Sequence, residues 1–335
     1  MQSPSTSSTA DRLTWIETAP QGVVEDFASS VLEGLTSHPR WLSCRWLYDE
    51  EGSRLFEAIC EQPEYYPTRA EFAILREHAV EIAAALPRGG DLVELGSGSA
   101  LKTRVLIEAL IARDGALRYV PVDISRTMLE ASSRELLEEY PELEVLGVAA
   151  EYGAGLRELR RRVAGPKLVL WLGSNVGNFE RPEAAAFLTE LRAGLSADDR
   201  LLLGVDLRKD ARVLERAYDD AAGVTAEFGL NLLARINREL GGDFDLDGFR
   251  HRARYDEREG RVEMHLVSLR DQRVRIDALD REFDFAEGET IHTENSYKYS
   301  VAEIDALAAA GGFEVESRWF DAERRFSLQA LRPTS

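Results

Sequence analysis

A short apolar run that ends in two glycines constrains the fold of this chain more than any other stretch. Asp91–Leu95 is followed by Gly96-Ser97-Gly98, and an apolar pattern of helical spacing begins after Lys102. This order predicts a strand, a tight turn and a helix. Glycine lets a ligand approach the main chain closely, and the helix start offers N–H groups and the positive end of a dipole. We expect a ligand at this turn; a glycine turn that binds nothing is the alternative.

The glycine spacing and the next acidic residue narrow the choice of ligand. A dinucleotide fingerprint would have a third glycine at position 101, where this chain has Leu101. The sequence Glu94-Leu95-Gly96-Ser97-Gly98 instead resembles the first motif of class I S-adenosylmethionine (AdoMet) methyltransferases, whose ligand has no diphosphate. The next predicted strand ends in Asp123, where nucleotide-binding sheets place an acid on the ribose. Asp123 can alternatively cap the following helix, although Ser125 is equally suited to that role.

Apolar runs and helical patterns alternate through the middle of the chain. Predicted strands lie at 91–96, 118–124, 143–149, 167–173 and 199–207, and predicted helices separate them. Short, nearly continuous apolar strands are typical of parallel sheets covered on both faces. The sequence therefore predicts an α/β fold, a Rossmann-like doubly wound sheet that binds its ligand at the carboxyl ends of the strands.

The ends of the chain and a middle segment depart from this alternation. A helix at 301–310 and strands at 313–320 and 326–331 resemble the closing hairpin of a seven-stranded methyltransferase sheet. We expect a cofactor domain of residues 68–207 plus 299–335. A second, α+β substrate-binding domain is expected from 11–67, where 11–60 are predicted helical, plus 208–298. Residues 1–10, rich in Ser and Thr, are expected to be a disordered leader.

Composition excludes several classes of function. The net charge of −19 argues against nucleic acid or an anionic membrane as a partner. The two cysteines are too few for a disulfide framework, and no apolar run approaches the roughly 18 residues of a membrane span. The five histidines show no metal-ligand spacing, so no metal is expected. We expect a cytoplasmic monomer that acts on a small molecule.

Three polar segments follow predicted strands or form a dense cluster. Glu151-Tyr152 follows the third strand, where a carboxylate or an aromatic ring can meet adenine; ordinary loop composition is the alternative. Gly173–Asn178 follows the fourth strand, where a methyl acceptor would lie, unless it is a plain turn. Ile291–Tyr299 carries too many hydrogen-bonding groups for a simple edge strand.

Six motifs together resemble the L-histidine Nα-methyltransferases of ergothioneine biosynthesis, over residues 40–332. The motifs are Trp46-Leu-Tyr-Asp49, Pro63-Glu-Tyr-Tyr-Pro-Thr-Arg69, Glu94-Leu-Gly-Ser-Gly98, Gly173-Ser-Asn-Val-Gly-Asn178, Ala217-Tyr-Asp-Asp220 and Thr293-Glu-Asn-Ser-Tyr-Lys298. The resemblance implies that an AdoMet site contains Tyr65, Gly96, Gly98, Lys102, Asp123, Glu151 and Tyr152. Family members often have Asp-Phe where this chain has Glu151-Tyr152.

The resemblance also implies the reaction and the residues that bind the substrate. AdoMet would trimethylate the α-amine of histidine to hercynine and leave S-adenosylhomocysteine. Asn178 and Tyr218 would bind the substrate carboxylate, and Tyr48 and Gly173, the expected catalytic residues, would lie near its amine. Tyr65 would contact the substrate as well as AdoMet, Glu294 and Ser296 would read the imidazole, and Met264 would border the ring. Alternatives are an N-methyltransferase of another amino acid, such as a tryptophan derivative, a nicotinamide-dependent oxidoreductase, and a binding protein without catalysis.

Overall fold

A computed structural model describes residues 9–16 and 26–334. Of the leader predicted at 1–10, residues 1–8 lie outside the described residues, and Thr9–Arg12 form a short 3-10 helix. The described residues form ten α-helices: α1 (Phe27–Thr36), α2 (Glu50–Glu61), α3 (Tyr66–Ala84), α4 (Arg104–Asp114), α5 (Arg126–Glu139), α6 (Tyr152–Arg162), α7 (Arg181–Arg192), α8 (Ala211–Ala217), α9 (Val224–Leu240) and α10 (Val301–Ala310).

The same residues form fourteen strands in two compact units. The strands are β1 (Leu13–Ile16), β2 (Arg40–Trp41), β3 (Asp91–Leu95), β4 (Leu117–Asp123), β5 (Leu143–Ala149), β6 (Lys167–Trp171), β7 (Arg200–Asp206), β8 (Phe249–Asp256), β9 (Arg261–Ser268), β10 (Gln272–Ile276), β11 (Arg281–Phe285), β12 (Thr290–Tyr297), β13 (Phe313–Phe320) and β14 (Phe326–Pro333). The first unit comprises described residues 9–16, 69–207 and 299–334, and the second comprises 26–68 and 208–298.

The first unit is built on a large, mostly parallel sheet. Its strand order is β1-β5-β4-β3-β6-β7-β14-β13, and only β14 and β13 run antiparallel to their neighbours. All residues of β3 and β6 are buried, as the apolar runs predict. The chain moves from β3 to β4 on one side and later to β6 on the other, so the carboxyl end of β3 is the topological switch point where ligands bind.

The sheet has eight strands, whereas the sequence predicts seven. The additional strand is β1, which runs parallel to β5, so the prediction of helices across 11–60 is wrong at this point. The Trp15 ring fills the space beside Gly147, where a Cβ atom would collide with it. Arg12 donates hydrogen bonds to four backbone carbonyls in and just after α5. These contacts are remote in sequence, and a four-residue strand carries too short a pattern to predict.

The second unit combines helices with a four-stranded sheet of order β2-β12-β9-β8. The buried face of α9 includes Phe228, Leu232 and Ile236. Asp49 caps α2 by accepting the N–H of Gly52 at 2.7 Å, and it also accepts from Asn231 of α9 at 2.8 Å. One carboxylate therefore begins a helix and ties it to its neighbour.

Two local details of the second unit differ from the sequence prediction. The apolar spacing predicts helices over 209–222 and 224–240. The first is shorter in the structure: α8 ends at Ala217, and Asp220 instead accepts the N–H groups of Val224 and Thr225 in the first turn of α9. The β10–β11 hairpin is a separate two-stranded sheet that was not predicted. Among the helices of the described residues, none combines the length and the apolar character needed to cross a membrane.

Candidate active site

The glycine turn after β3 has the backbone that the sequence predicts. Gly96 and Gly98 have φ angles of +72° and +49°, in the region that side chains disfavour. A Cβ atom on Gly96 would lie 2.6 Å from the hydroxyl of Tyr152 and 3.0 Å from the amide nitrogen of Asn175. The backbone conformation therefore favours glycine at position 96, and a side chain there would also have to displace the Tyr152 hydroxyl and the Asn175 amide.

Asp123 closes this turn from the neighbouring strand. Its carboxylate accepts the N–H of Gly98 at 3.0 Å and the N–H of Ser125 at 2.9 Å. Burial raises the pKa of Asp123, and these backbone hydrogen bonds oppose that rise. The Ser125 hydroxyl accepts the N–H of Met128 and caps α5, so Asp123 does not serve as that cap. Each carboxylate oxygen has two lone pairs, so Asp123 retains acceptor capacity for ribose hydroxyls.

A second carboxylate, that of the buried Glu94, stabilises the glycine turn after β3. Glu94, the last-but-one residue of β3, accepts hydrogen bonds from the hydroxyls of Thr103, at 2.7 Å, and Tyr119. Burial raises the pKa of Glu94 to about 7, and the two hydroxyl donors oppose the shift. Because Thr103 immediately precedes α4, Glu94 links the strand before the glycine turn to the helix after it.

A third carboxylate connects the glycine turn to the loop after β6. Glu71, fully buried on α3, contacts the ammonium of Lys102 and accepts the N–H of Gly173. Gly173 has a φ of +72°, and a Cβ placed on it would lie 3.8 Å from Nζ of Lys102. Gly204 on β7 leaves the space that the Glu71 carboxylate occupies. The predicted cofactor residue Lys102 and the predicted substrate residue Gly173 thus share one acceptor.

The remaining predicted residues of the first unit surround the same edge of the sheet. Tyr152 begins α6, and its ring lies 6.3 Å from that of Trp171 and 5.6 Å from that of Phe187. Glu151 precedes it and is exposed. Asn178 is half-buried at the end of a 3-10 turn that follows β6.

In the second unit, β12 and the residue after it present three polar side chains at alternate positions. Glu294, Ser296 and Lys298 are two residues apart, the spacing that places side chains on one face of a strand. Met264 on β9 lies directly opposite Glu294 in the antiparallel register. Ser296 and Lys298 are buried, and Glu294 is partly buried.

Tyr218 completes this polar face. Its hydroxyl lies 2.9 Å from the Ser296 hydroxyl, and Nζ of Lys298 donates to both, at 2.7 Å and 2.8 Å. Three residues from two distant parts of the chain therefore form a closed triangle of hydrogen bonds. A triangle of this kind fixes the rotamer of each member and the direction of each hydroxyl.

A row of aromatic rings extends from Tyr218. The Tyr65 ring lies 6.0 Å from that of Tyr218 and 6.3 Å from that of Phe56, which in turn lies 5.6 Å from Tyr48. Burial raises the pKa of Tyr65, and electrostatic interactions with neighbouring acidic groups, Tyr218 first and Glu294 among them, add to the rise. Tyr65 is therefore a neutral phenol at physiological pH.

Glu294 is the acid whose protonation is set by this environment. Burial raises the pKa of Glu294 to about 7, and the positive charge of Lys298 opposes that rise. A carboxylate in such surroundings is costly to ionise unless a donor meets it. A ligand that brings an N–H group to Glu294 would provide that donor.

Comparison with known proteins identifies the family. A family model described as "Histidine-specific methyltransferase, SAM-dependent" matches residues 27–333. The chain belongs to this family. A histidine N-alpha-methyltransferase of Mycobacterium tuberculosis is 45% identical over 89% of this chain and 92% of that protein. A histidine N-alpha-methyltransferase of Mycolicibacterium smegmatis is 43% identical over 92% of this chain and 96% of that protein. Ergothioneine biosynthesis protein 1 of Neurospora crassa is 36% identical over 84% of this chain, which covers 32% of that longer protein.

Membership of the histidine-specific methyltransferases confirms the resemblance and the α/β methyltransferase fold predicted from the sequence. The predicted residues divide between the units. The first contains Gly96, Gly98, Lys102, Asp123, Glu151, Tyr152, Gly173 and Asn178, and the second contains Tyr48, Tyr65, Tyr218, Met264, Glu294 and Ser296. Tyr65, predicted for both the AdoMet and the substrate sites, lies in the unit that carries Tyr218 and Glu294.

Sequence reasoning missed four residues that hold these arrangements: Glu71, Glu94, Phe56 and Lys298. Glu71 and Glu94 act on partners far away in sequence, for which a single chain gives no signal. Lys298 was within reach of sequence reasoning, because the alternation Glu294-x-Ser296-x-Lys298 predicts a shared strand face. Residues 9–16 and 26–334 contain no group of three or more His, Cys, Asp or Glu side chains arranged to hold a metal ion.

Proposed function

We propose that this chain transfers methyl groups from AdoMet to the α-amino nitrogen of L-histidine and forms hercynine, the first intermediate of ergothioneine biosynthesis. The observation that carries the proposal is the strand face of Glu294 and Ser296 opposite Met264. It pairs a carboxylate that needs a donor with a hydroxyl and an apolar neighbour. These are the groups that an imidazole with two ring nitrogens requires.

The residues of the first unit fit AdoMet. Gly96 and Gly98 leave the main chain open, and Asp123 has acceptor capacity for the ribose hydroxyls. Lys102 brings a cation for the carboxylate of the methionine moiety, and Glu151 and Tyr152 are assigned to the adenine. When bound, AdoMet supplies an activated methyl group on a sulfonium, and S-adenosylhomocysteine remains after transfer.

We assign separate residues to the ring, the carboxylate and the amine of histidine. Glu294 accepts one imidazole N–H, Ser296 serves the other ring nitrogen, and Met264 borders the ring. Tyr218 and Asn178 bind the carboxylate. Tyr48 and the Gly173 backbone lie near the amine.

The protein's main contribution to the reaction is orientation. A sulfonium methyl group is already reactive, so holding the attacking nitrogen in line lowers the barrier by several kcal/mol, as in other oriented reactions. The amine must be neutral to attack, yet each transfer leaves a cation. Tyr48 solvates the amine through its hydroxyl, and the rings of Tyr48 and Tyr65 stabilise the methylated cations by cation–π interaction. Protons released between transfers pass to water.

Mass spectrometry of a reaction containing AdoMet and equimolar histidine, tryptophan and phenylalanine tests the proposal. We expect mono-, di- and trimethylated histidine, with the trimethyl product accumulating. Transfer to tryptophan in preference to histidine would contradict the proposed substrate. Turnover of a nicotinamide cofactor without methyl transfer would contradict the proposed chemistry.

We further propose that the enzyme acts as a cytoplasmic monomer without a metal. Methyl transfer from a sulfonium to a neutral amine requires no Lewis acid, so the chemistry has no step that a metal would accelerate. Incubation with EDTA should leave kcat/KM for histidine unchanged, and restoration of lost activity by a divalent cation would contradict this. Light scattering during gel filtration checks the monomer.

A further inference from the structure

Asn175 lies between two glycine-containing loops at the carboxyl edge of the first unit's sheet. Its Nδ2 is 3.0 Å from the position that a Cβ atom on Gly96 would take, and its Oδ1 is 3.6 Å from the corresponding position on Gly173. Nδ2 also donates to the hydroxyl of Tyr152 at 3.4 Å. The side chain therefore borders the segments that follow β3, β5 and β6, at the edge where this fold binds its ligand.

The amide oxygen of Asn175 is an acceptor in the neighbourhood of Lys102. Oδ1 of Asn175 and Nζ of Lys102 lie 3.6 Å and 3.8 Å from the same Cβ position on Gly173. No described residue donates a hydrogen bond to this Oδ1, although an amide oxygen has two lone pairs. The carboxylate of Glu71, by contrast, is fully buried and meets both Lys102 and the N–H of Gly173.

The methionine moiety of AdoMet requires both a cation and an acceptor. It carries a carboxylate and an ammonium on one carbon atom, and an ammonium has three donors. The proposed function assigns Lys102 to the carboxylate and assigns no residue to the ammonium. Because the two charged groups share a carbon, an acceptor for the ammonium must lie close to Lys102. Burying the ammonium without such an acceptor is costly.

We propose that Asn175 is a further AdoMet-binding residue, whose Oδ1 accepts a hydrogen bond from the α-ammonium of the methionine moiety. The hydrogen bond from Nδ2 to Tyr152 turns Oδ1 toward Gly173, the side on which Lys102 lies. Asn175 thereby makes the site select adenosyl ligands that carry the α-amine over those that lack it. The inference rests on the proposed function, because it assigns one more residue to the proposed cofactor.

Calorimetric titration with S-adenosylhomocysteine and its deaminated analogue tests the inference. The analogue keeps the adenosine, the thioether and the carboxylate and lacks only the α-amine. Wild type should bind the analogue at least about tenfold more weakly, because it loses hydrogen bonds from a charged group. Asn175→Leu, which keeps most of the side-chain volume and removes the acceptor, should weaken S-adenosylhomocysteine roughly 10- to 100-fold and the analogue less than about threefold. An unchanged preference for S-adenosylhomocysteine in Asn175→Leu overturns the inference.

Asn175→Asp distinguishes an acceptor from a packing residue or a donor. Aspartate keeps an acceptor oxygen in nearly the same position, but its carboxylate cannot donate to Tyr152. This variant should bind S-adenosylhomocysteine no more than about threefold more weakly than wild type, because a carboxylate accepts strongly from an ammonium. A loss equal to that in Asn175→Leu would show that the amide acts by donation or by shape, and the inference would be wrong.

Asn178→Leu is the matched control. Asn178 lies in the same 3-10 turn, is half-buried like Asn175, and is assigned to the substrate rather than to the cofactor. In the absence of histidine, this variant should retain the wild-type affinity for both ligands. A loss of preference equal to that in Asn175→Leu would mean that the preference reports damage to the turn, which overturns the inference.

The outcomes separate this inference from the proposed function. If Asn175→Leu does not fold, wild type and Asn175→Asp decide, and equal binding of the two ligands by wild type overturns the inference. A wild-type protein that does not bind S-adenosylhomocysteine, or does not methylate histidine in the mass-spectrometric assay, would refute the function itself. A wild-type protein that does both, together with an Asn175→Leu variant of unchanged preference, would refute the inference alone.

Discussion

The backbone N–H of Gly173 donates to both carboxylate oxygens of Glu71, at 2.8 Å and 3.0 Å. The same carboxylate contacts Lys102, which follows the glycine turn after β3. Glu71 therefore fixes, from inside the first unit, one residue assigned to the cofactor and one assigned to the methyl acceptor. Because the carboxylate is fully buried, it has no water to replace either partner.

We expect Glu71→Ala to lower the free energy of unfolding by about 3 kcal/mol. The substitution leaves the buried N–H of Gly173 without its acceptor and the ammonium of Lys102 without this carboxylate. Glu71→Gln keeps an acceptor for Gly173 and should cost about half as much. Urea denaturation of each variant gives the values. Glu77→Ala, at an exposed position of the same helix, is the control and should stay within about 0.5 kcal/mol of wild type. Equal stability of Glu71→Ala and the control would contradict the role of Glu71.

Asp123 provides a test of the cofactor assignment. Asp123→Ala should weaken binding of AdoMet and S-adenosylhomocysteine by about 1.5–3 kcal/mol, because it removes the proposed acceptor for the ribose and the anchor of Gly98. Isothermal titration calorimetry measures both ligands, and NAD should bind neither protein. Glu138→Ala, at an exposed position of α5, is the control. Unchanged affinity for AdoMet in Asp123→Ala would show that Asp123 does not bind the ribose.

Elements with strong local signals could be predicted from the sequence nearly to the residue. The helix predicted at 301–310 matches α10 at both ends, because Ser300 and Glu303 form a capping box and two glycines follow. The end of α9 is equally clear, since Gly241 adopts a φ of +64°. In both places the residues that stop the helix are adjacent to it in the chain.

The missed features depend on partners that are far away or on a pattern that was overlooked. β1 forms by pairing with β5, which is distant in sequence. Glu71 accepts the N–H of Gly173 across a separation of 102 residues. The β10–β11 hairpin did carry a signal. Its buried residues Val274, Ile276, Phe283 and Phe285 alternate with charged ones, which is the period of a strand.

The raised pKa of Glu294 makes stability depend on pH in a defined direction. The pKa is about 7 in the folded protein against 4.5 for an ordinary glutamate, so between these values the folded state holds a proton that the unfolded chain lacks. The free energy of unfolding therefore falls as pH rises from about 4.5 to about 7. Glu294→Gln does not titrate. Relative to that variant, wild type should lose about 2 kcal/mol between pH 5 and pH 8.

Denaturation of both proteins across that pH range measures the difference. Glu287→Gln, at an exposed position of the second unit, is the control and should retain the wild-type decline. Parallel curves for wild type and Glu294→Gln would mean that Glu294 does not hold a proton in the folded state at pH 5 to 7.

Substrate choice should depend on Glu294 and its cross-strand neighbour Met264. Histidine can donate an imidazole N–H to Glu294, whereas phenylalanine has no ring donor and tryptophan has one on a larger ring. A site built around hydrogen bonds rejects analogues that leave its polar groups without a partner. Glu294→Ala should therefore lower kcat/KM for histidine by about 1.5–3 kcal/mol, roughly 10- to 100-fold.

Adding Met264→Val enlarges the space beside the ring, so the double variant should further reduce the difference in kcat/KM between histidine and tryptophan. Competition between the two amino acids, followed by mass spectrometry, measures the ratio. If the double variant keeps the wild-type preference for histidine, Glu294 does not read the ring, and the preference must arise from the residues that bind the carboxylate and the amine.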